Sequence, residues 1–380
     1  METFPDEPLT PPIWSIEDFD RLLRWCVDQD ASDVSIIPNF HVSTRVHGSW
    51  CHATEGLVQR QDIERYLEHT TQNSGAMGIM MNGHDLDFSY EVMVARGIRK
   101  RFRVNASACS TGQGLGVNIV FRSIPSTPPS VEDLGLEPSL LEFIVHDSGL
   151  VLVAGTMGSG KTTLLSAVIR YIRENQPGRF TVTYEFPIEF DLVGIPGAKG
   201  PIVQTEIPTH LQHFEHAPAN AARRAVDVML VGESREPETF RSTCLAAEIG
   251  TAAYTTVHTQ SVAETVRRII LSFPQKERND ALAALLGSLR MVVYQMLVPR
   301  ADGTGRVAVR EWLPISKTFR RQLMGADLSE MDQLFHNEIY ANGQPLIPYA
   351  QGLLERGDID MDTFRRVERK HAFENQGEAL

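Results

Sequence analysis

The segment from Gly155 through Thr156, Met157, Gly158, Ser159, Gly160 and Lys161 to Thr162 fits the pattern G-x-x-x-x-G-K-[ST] at every fixed position. The apolar run Leu150–Ala154 precedes it and Thr163–Glu174 follows with helical periodicity, so the spacing predicts a buried strand, a phosphate loop and a helix. Few patterns restrict a fold as much, because such a loop works only where a strand delivers it to a helix N-terminus. There the glycines let successive N–H groups turn toward one point, and the helix end adds partial positive charge. Lys161 reaches the β/γ-phosphates, and Thr162 offers a hydroxyl to Mg²⁺. Thr156, Gly158, Ser159, Gly160, Lys161, Thr162 and Thr163 are therefore the nucleotide-binding candidates, with ATP and Mg²⁺ as the implied ligands. A chance glycine-rich turn is the bland alternative, and the lysine, the threonine and both flanking elements weigh against it.

Short apolar segments alternate with helical ones around the loop: Phe180–Glu185, Val226–Gly232, Glu238–Ala247 and Thr251–Val257. This alternation predicts a parallel sheet covered on both faces. Phosphoryl transfer also needs metal placement, an oriented water and charge stabilisation, and three strand ends offer candidates. Val228–Val231 leads into Gly232-Glu233, an atypical Walker B in which Gly232 stands at the usual aspartate and Glu233 acts on Mg²⁺ through water; the alternative is a surface glutamate. Phe180–Tyr184 leads into Glu185, which could orient or activate the attacking water, with Glu189 holding the loop; solvation of the turn at Pro187 is an equal reading. Thr251–Val257 leads into His258, placed to contact a γ-phosphate, although a lone histidine is more often structural.

Upstream, Ser15 before Ile16, Phe19, Leu22, Leu23, Cys26 and Val27 predicts a capped amphipathic helix. Segments at Asp33–Ile37 and Val42–Val46, then a His47-Gly48 turn and another polar segment, look like short strands joined by turns, and a helix follows at Asp62–Thr70. Extended segments at Asp87–Val94, Arg101–Ala106 and Gly116–Phe121 complete a small α+β domain. Pro125, Pro128 and Pro129 mark a linker. The expected organisation is a proline-rich leader (1–13), an N-terminal domain (14–123), a linker (124–134), an ATPase domain (135–315) and a helical C-terminal region (316–380).

With 36 Lys+Arg against 48 Asp+Glu, the net charge of −12 argues against a broad nucleic-acid surface. The longest apolar runs, Leu150–Ala154 and Met291–Val298, are too short to span a bilayer. The acidic, proline-rich start lacks the features of an export signal and the four cysteines are scattered singly, so a reduced, cytoplasmic chain is expected. His210, His213 and His216 form H-x-x-H-x-x-H, which reads better as a polar loop between Pro208 and Pro218 than as a zinc site. Arg96, Arg99, Lys100, Arg101, Arg103 and Arg122 make a basic island, either a solvated strand face or a source of arginines for the nucleotide.

The ordered set Gly155–Thr163, Tyr184–Phe190, Leu230–Glu233 and Thr256–Thr259 resembles the Walker A, Asp box, Walker B and His box of the secretion ATPases related to the pilus retraction motor PilT. Ala31–Asp33, Asp87–Glu91, Arg101–Asn105 and Phe121–Pro125 resemble that family's N-terminal domain and linker, so the resemblance covers about residues 30–300. Phe186 replaces the usual Asp-box aspartate, and Ala221–Asp227 lacks the usual Asp-Pro-Asp. No copy of the retraction motors' Ala-Ile-Arg-Asn-Leu-Ile segment is found. These departures look closer to the DotB/TraJ branch, the ATPases of type IVB secretion and conjugative transfer. The resemblance implies a homohexamer of chains with a PAS-like N-terminal domain and a RecA-like P-loop ATPase domain. It also implies ATP between the two domains, Lys161 and Thr162 on phosphate and Mg²⁺, Glu185 as water activator, Glu233 supporting the metal and His258 at the γ-phosphate. Arg101, Arg103 and Arg122 would be interdomain sensors. Partners would be cytoplasmic-side components of a secretion apparatus, with a second, larger ATPase among the candidates, and membrane association would be peripheral. A pilus retraction or assembly ATPase is the alternative, and a nucleotide-gated scaffold with weak turnover is a third reading.

Overall fold

A computed structural model describes residues 13–46, 49–95, 98–111, 114–124 and 127–376. The proline-rich leader up to Pro12, the His47-Gly48 turn, Arg96 and Pro125 of the linker fall outside these residues. The chain divides into two compact units, Met1–Thr127 with Pro187–Asp191, and Pro128–Phe186 with Leu192–Leu380.

In the first unit, α1 (Ile16–Asp28) starts at a reciprocal cap. The Ser15 hydroxyl accepts from the Asp18 amide at 3.2 Å, and the Asp18 carboxylate accepts from the Ser15 amide at 3.0 Å. Phe19, Leu22, Leu23 and Cys26 form its buried stripe. Strands β1 (Asp33–Ile36), β2 (His41–Val46) and β3 (Ser49–Leu57) lead to helices α2 (Arg60–Thr71) and α3 (Ala76–Met81). Strands β4 (Leu86–Ala95), β5 (Ile98–Thr111) and β6 (Gly114–Ser123) complete the unit. The sheet order is β3-β2-β1-β6-β5-β4, with every neighbouring pair antiparallel. Apart from the added edge strand β3, this is a PAS-like arrangement. Phe102, Val104, Ile119 and Phe121 face a core shared with Tyr66 of α2 and the α1 stripe. β5 outruns its expected span, Arg101–Ala106, because its ladders to β4 and β6 continue past the apolar stretch. Helix α3 was not expected: six residues, with Gly78 inside and no side-chain cap, are too few to display a period.

The second unit opens with α4 (Pro138–Ile144), β7 (Gly149–Ala154), α5 (Lys161–Asn175), β8 (Thr181–Glu185) and β9 (Ile202–Glu206). It continues through α6 (Ala217–Ala222), β10 (Val228–Val231), α7 (Pro237–Glu248), β11 (Ala252–Val257), α8 (Val262–Ser272) and α9 (Arg278–Ser288). The hairpin β12 (Leu289–Pro299) and β13 (Arg306–Pro314) and helices α10 (Lys317–Met324), α11 (Met331–Asn342), α12 (Leu346–Glu355) and α13 (Met361–Gln376) close it. Its sheet runs β13-β12-β7-β11-β10-β8-β9, parallel throughout except for the β12–β13 pair. Every residue of β7, β8, β10 and β11 is buried, as a sheet covered on both faces requires. Alternate residues of β7 feed two cores: Leu150, Leu152 and Ala154 on one face, Val151 and Val153 on the other. This is the RecA-like α/β architecture, with a helical C-terminal extension. β9 and the β12–β13 hairpin add to the strands read from sequence. No helix among the described residues is long and apolar enough to cross a membrane.

Candidate functional site

Three parallel strands bring their carboxyl ends to one edge beside the loop that leaves β7. The order β7-β11-β10-β8 places His258 after β11, Glu233 after β10 and Glu185 at the end of β8 in succession. Crevices beyond the carboxyl ends of such strands are where open α/β sheets gather ligands.

The loop itself is shaped by absent side chains. A Cβ on Gly155, whose φ is +151°, would lie 2.5 Å from the Gln295 carbonyl oxygen and 2.5 Å from Ser159 Oγ, so the strand end and the loop close onto each other there. Gly160, at φ +81°, forms the left-handed N-cap of α5, which carries no side-chain cap and no acidic residue in its first turn. A helix N-terminus of this kind favours an anion. Lys161 is buried, and its Nζ donates to the carbonyls of Gly155 (2.8 Å) and Thr156 (2.9 Å), folding the ammonium over the loop. Thr156 and Gly158 are exposed, whereas Ser159 is buried and its hydroxyl has no partner among the described residues. Thr162 and Thr163 are half-buried in the first turn of α5.

Glu185 is buried, and its Oε1 accepts from Thr183 Oγ1 at 2.5 Å and from Gln204 Nε2 at 3.0 Å. Gln204, on the neighbouring strand β9, also accepts from the Leu192 amide at 2.9 Å, which fixes the amide's orientation. Gly232 stands in a tight place: its amide donates to Tyr184 O at 2.7 Å, and a Cβ there would lie 3.2 Å from that oxygen and 3.4 Å from Glu185 Cα. Glu233 Oε1 accepts from His258 Nε2 at 2.7 Å and from Arg235 Nε at 2.5 Å. The loop between them is tied down, with Thr256 Oγ1 donating to Gly232 O at 2.6 Å and Ser234 Oγ bonded to Thr255 Oγ1 at 2.9 Å. Burial, and then the nearby charge of Lys161, hold the His258 pKa below its ordinary 6.5, against the opposing pull of Glu233. The imidazole is therefore neutral at pH 7, with its Nε2–H directed at the carboxylate. Hydroxyl and carboxylate oxygens, from Thr162 and Glu233, are the hard donors that suit Mg²⁺.

Sequence reasoning missed Arg235, Gln204 and Gln295. For Arg235 the signal was its place two residues after the strand-end glutamate; the two glutamines lie in strands that were not recognised. His210 accepts the Glu206 amide on Nδ1 at 3.0 Å, and the His213 and His216 rings stand 6.0 Å apart.

In the first unit, Arg101, Arg103 and Arg122 share one sheet face. Arg103 is the register partner of Arg122, and Arg101 lies two residues along β5. Arg122 Nε donates to Asp33 at 2.8 Å and Arg101 Nε to Glu91 at 2.7 Å.

The family described as Type II/IV secretion system protein matches residues 90–341. A twitching motility protein of Neisseria gonorrhoeae is 35% identical over 323 residues, 85% of this chain and 83% of that protein. Among solved structures, the ATPase DotB of Legionella pneumophila superposes with a TM-score of 0.88 at 32% identity, covering 96% of this chain and 98% of the other. The pilus retraction motor PilT with bound ADP superposes with a TM-score of 0.78 at 25% identity, covering 92% and 96%.

Proposed function

Because the chain belongs to the Type II/IV secretion system protein family, we propose that it is an ATP-hydrolysing motor, working as a homohexamer that powers substrate export by a type IVB, Dot/Icm-like, or conjugative transfer apparatus. The observation that carries the enzymatic reading is the succession of Lys161, His258, Glu233 and Glu185 along one sheet edge beside an uncapped helix N-terminus. The phosphates of ATP would lie on the loop amides of Gly158–Thr163, with the nucleoside in the adjoining cavity of about 760 Å³ that Gly160, Thr163, Leu297 and Tyr349 help to line. Thr162 and Glu233, the latter through water, would hold Mg²⁺, which when bound supplies charge neutralisation to the β- and γ-phosphates.

In the proposed step Glu185 takes a proton from water as its oxygen bonds to the γ-phosphorus. The bond to the β-phosphate oxygen breaks, and ADP leaves with the electron pair. Thr183 and Gln204 keep the carboxylate aimed while it does so. His258, neutral and 2.7 Å from Glu233, would report the γ-phosphate by moving its Nε2–H from the carboxylate to a phosphate oxygen. Arg101, Arg103 and Arg122 are proposed as interdomain sensors; their support is a common sheet face. Among partners we propose cytoplasmic-side components of the apparatus, a second, larger ATPase being a candidate. Membrane association is then peripheral and through those partners.

The similarity to DotB supports the export reading, while the twitching motility relative favours a second one, a pilus retraction or assembly ATPase. Deleting the chain in its host tests them. Loss of substrate export with intact twitching supports the first, and loss of twitching with intact export replaces it with the second.

A further inference from the structure

Behind the phosphate loop lies a buried polar relay. Arg310 of β13 is 1% exposed, the most deeply buried charged side chain among the described residues. A guanidinium in such a place is costly unless its donors are met. Its Nε donates to Gln295 Oε1 at 2.9 Å, one terminal nitrogen to Leu134 O at 2.9 Å, and the other to Gly135 O at 3.3 Å and to the Tyr349 hydroxyl at 3.1 Å. Gln295 of β12, itself buried, passes the contact on, its Nε2 donating to Ser159 O at 2.8 Å. It also borders both loop glycines: its carbonyl oxygen fills the space beside Gly155, and its amide nitrogen lies 3.0 Å from where a Gly160 Cβ would be. An apolar side chain of that length would fill the same volume. A carboxamide, unlike an apolar side chain, offers an acceptor to Arg310 and a donor to Ser159 O at once.

We propose that Gln295 is a positioning residue for the phosphate loop. Arg310 holds it and ties the loop's shape to the Leu134–Gly135 segment and, through Tyr349, to α12 of the C-terminal helical region. This rests on the reading of the loop as a nucleotide site and adds to it a route by which the wall of the adjoining cavity, which Gln295, Arg310 and Tyr349 all line, bears on the phosphates. The relay lies entirely within the second unit.

The variant Gln295→Glu separates positioning from packing. Its carboxylate still accepts from Arg310, now as an ion pair, and has no donor for Ser159 O. Calorimetry with the full chain, using Mg-ATP and Mg-pyrophosphate as probes, reads the loop with and without a nucleoside. The expected result is an unchanged or raised melting temperature and an affinity lower by roughly tenfold for both probes, the loss of one buried hydrogen bond. Unchanged affinity in the folded variant overturns the proposal. So does a loss confined to ATP, which would assign Gln295 to the nucleoside alone. If Gln295→Glu does not fold, Gln295→Met, which fills the volume and makes neither bond, is read by the same comparison of probes. A wild-type chain that binds neither probe overturns the nucleotide reading itself and this inference with it, whereas wild-type binding with an insensitive variant overturns only the inference.

Discussion

Replacing Gly232 by alanine tests how tight the end of this Walker B strand is. The added methyl would stand 3.2 Å from Tyr184 O and 3.4 Å from Glu185 Cα, both backbone atoms that no rotamer change can move aside. The Gly232 amide already holds Tyr184 O at 2.7 Å, so β10 and β8 cannot separate without losing that bond. Overpacking of this kind costs about 1–3 kcal/mol. For a unit of this size each kcal/mol lowers the melting temperature by about 2–4 °C, which makes the expected drop roughly 2–12 °C. The strain falls on the backbone that carries Glu185, so ATP hydrolysis measured well below both melting temperatures should decline as well. Restoring the usual aspartate with Gly232→Asp should be worse than alanine, because it adds a carboxylate beside the buried Glu185. Thermal denaturation followed by circular dichroism, with phosphate release on the same samples, provides both readouts. A Gly232→Ala protein with wild-type melting and turnover would refute the tight fit at Gly232.

Three further outcomes follow from the same geometry. Lys161→Ala should leave the fold intact and weaken Mg-ATP binding by roughly 10²–10³-fold, the loss of a charge-assisted phosphate contact, as calorimetry would show. In the nucleotide-free protein, NMR titration should find His258 protonating below its ordinary 6.5; Lys161→Ala should raise that midpoint by removing a like charge, and Glu233→Gln should lower it further by removing the stabilising carboxylate. Because the folded pKa is depressed, this histidine's contribution to stability is full at neutral pH and falls as pH drops below 6.5 toward the folded value. Gln204→Leu should reduce turnover by about tenfold while ATP affinity stays constant, since it removes a donor that aims Glu185.

The elements around Lys161 were legible because their signals are local. β7 and α5 flank a loop whose glycines and lysine have fixed spacing, and β8, β10 and β11 are wholly buried strands with Glu185, Glu233 and His258 at or just past their ends. What stayed hidden depends on polar residues that the fold buries. β13 carries Arg310 and Glu311 in its interior, which breaks its apolar pattern, whereas β12 shows as the apolar run Met291–Val298 but its pairing with β7 and β13 has no local signal, although Asp302-Gly303 marks the turn between them. β9 hides in the same way: Thr205 and Glu206 are buried and Gln204 half-buried in a five-residue strand. Strand order was invisible too, since nothing local announces that β11 lies between β7 and β10 and brings His258 to Glu233. In the first unit, the α1 cap could be read from Ser15 and Asp18, whereas α3 and the full length of β5 depend on pairing and packing with residues distant in sequence.

Hydrolysis at Glu185 is read by steady-state phosphate release from the full chain against its Glu185→Gln variant, with ATP affinity measured on the same samples. ATP affinity should be equal in the two proteins and turnover in the variant lower by about 10²-fold or more, the usual contribution of a positioned general base. Equal, near-zero turnover in both proteins with ATP binding retained would contradict it and leave a nucleotide-gated scaffold in its place.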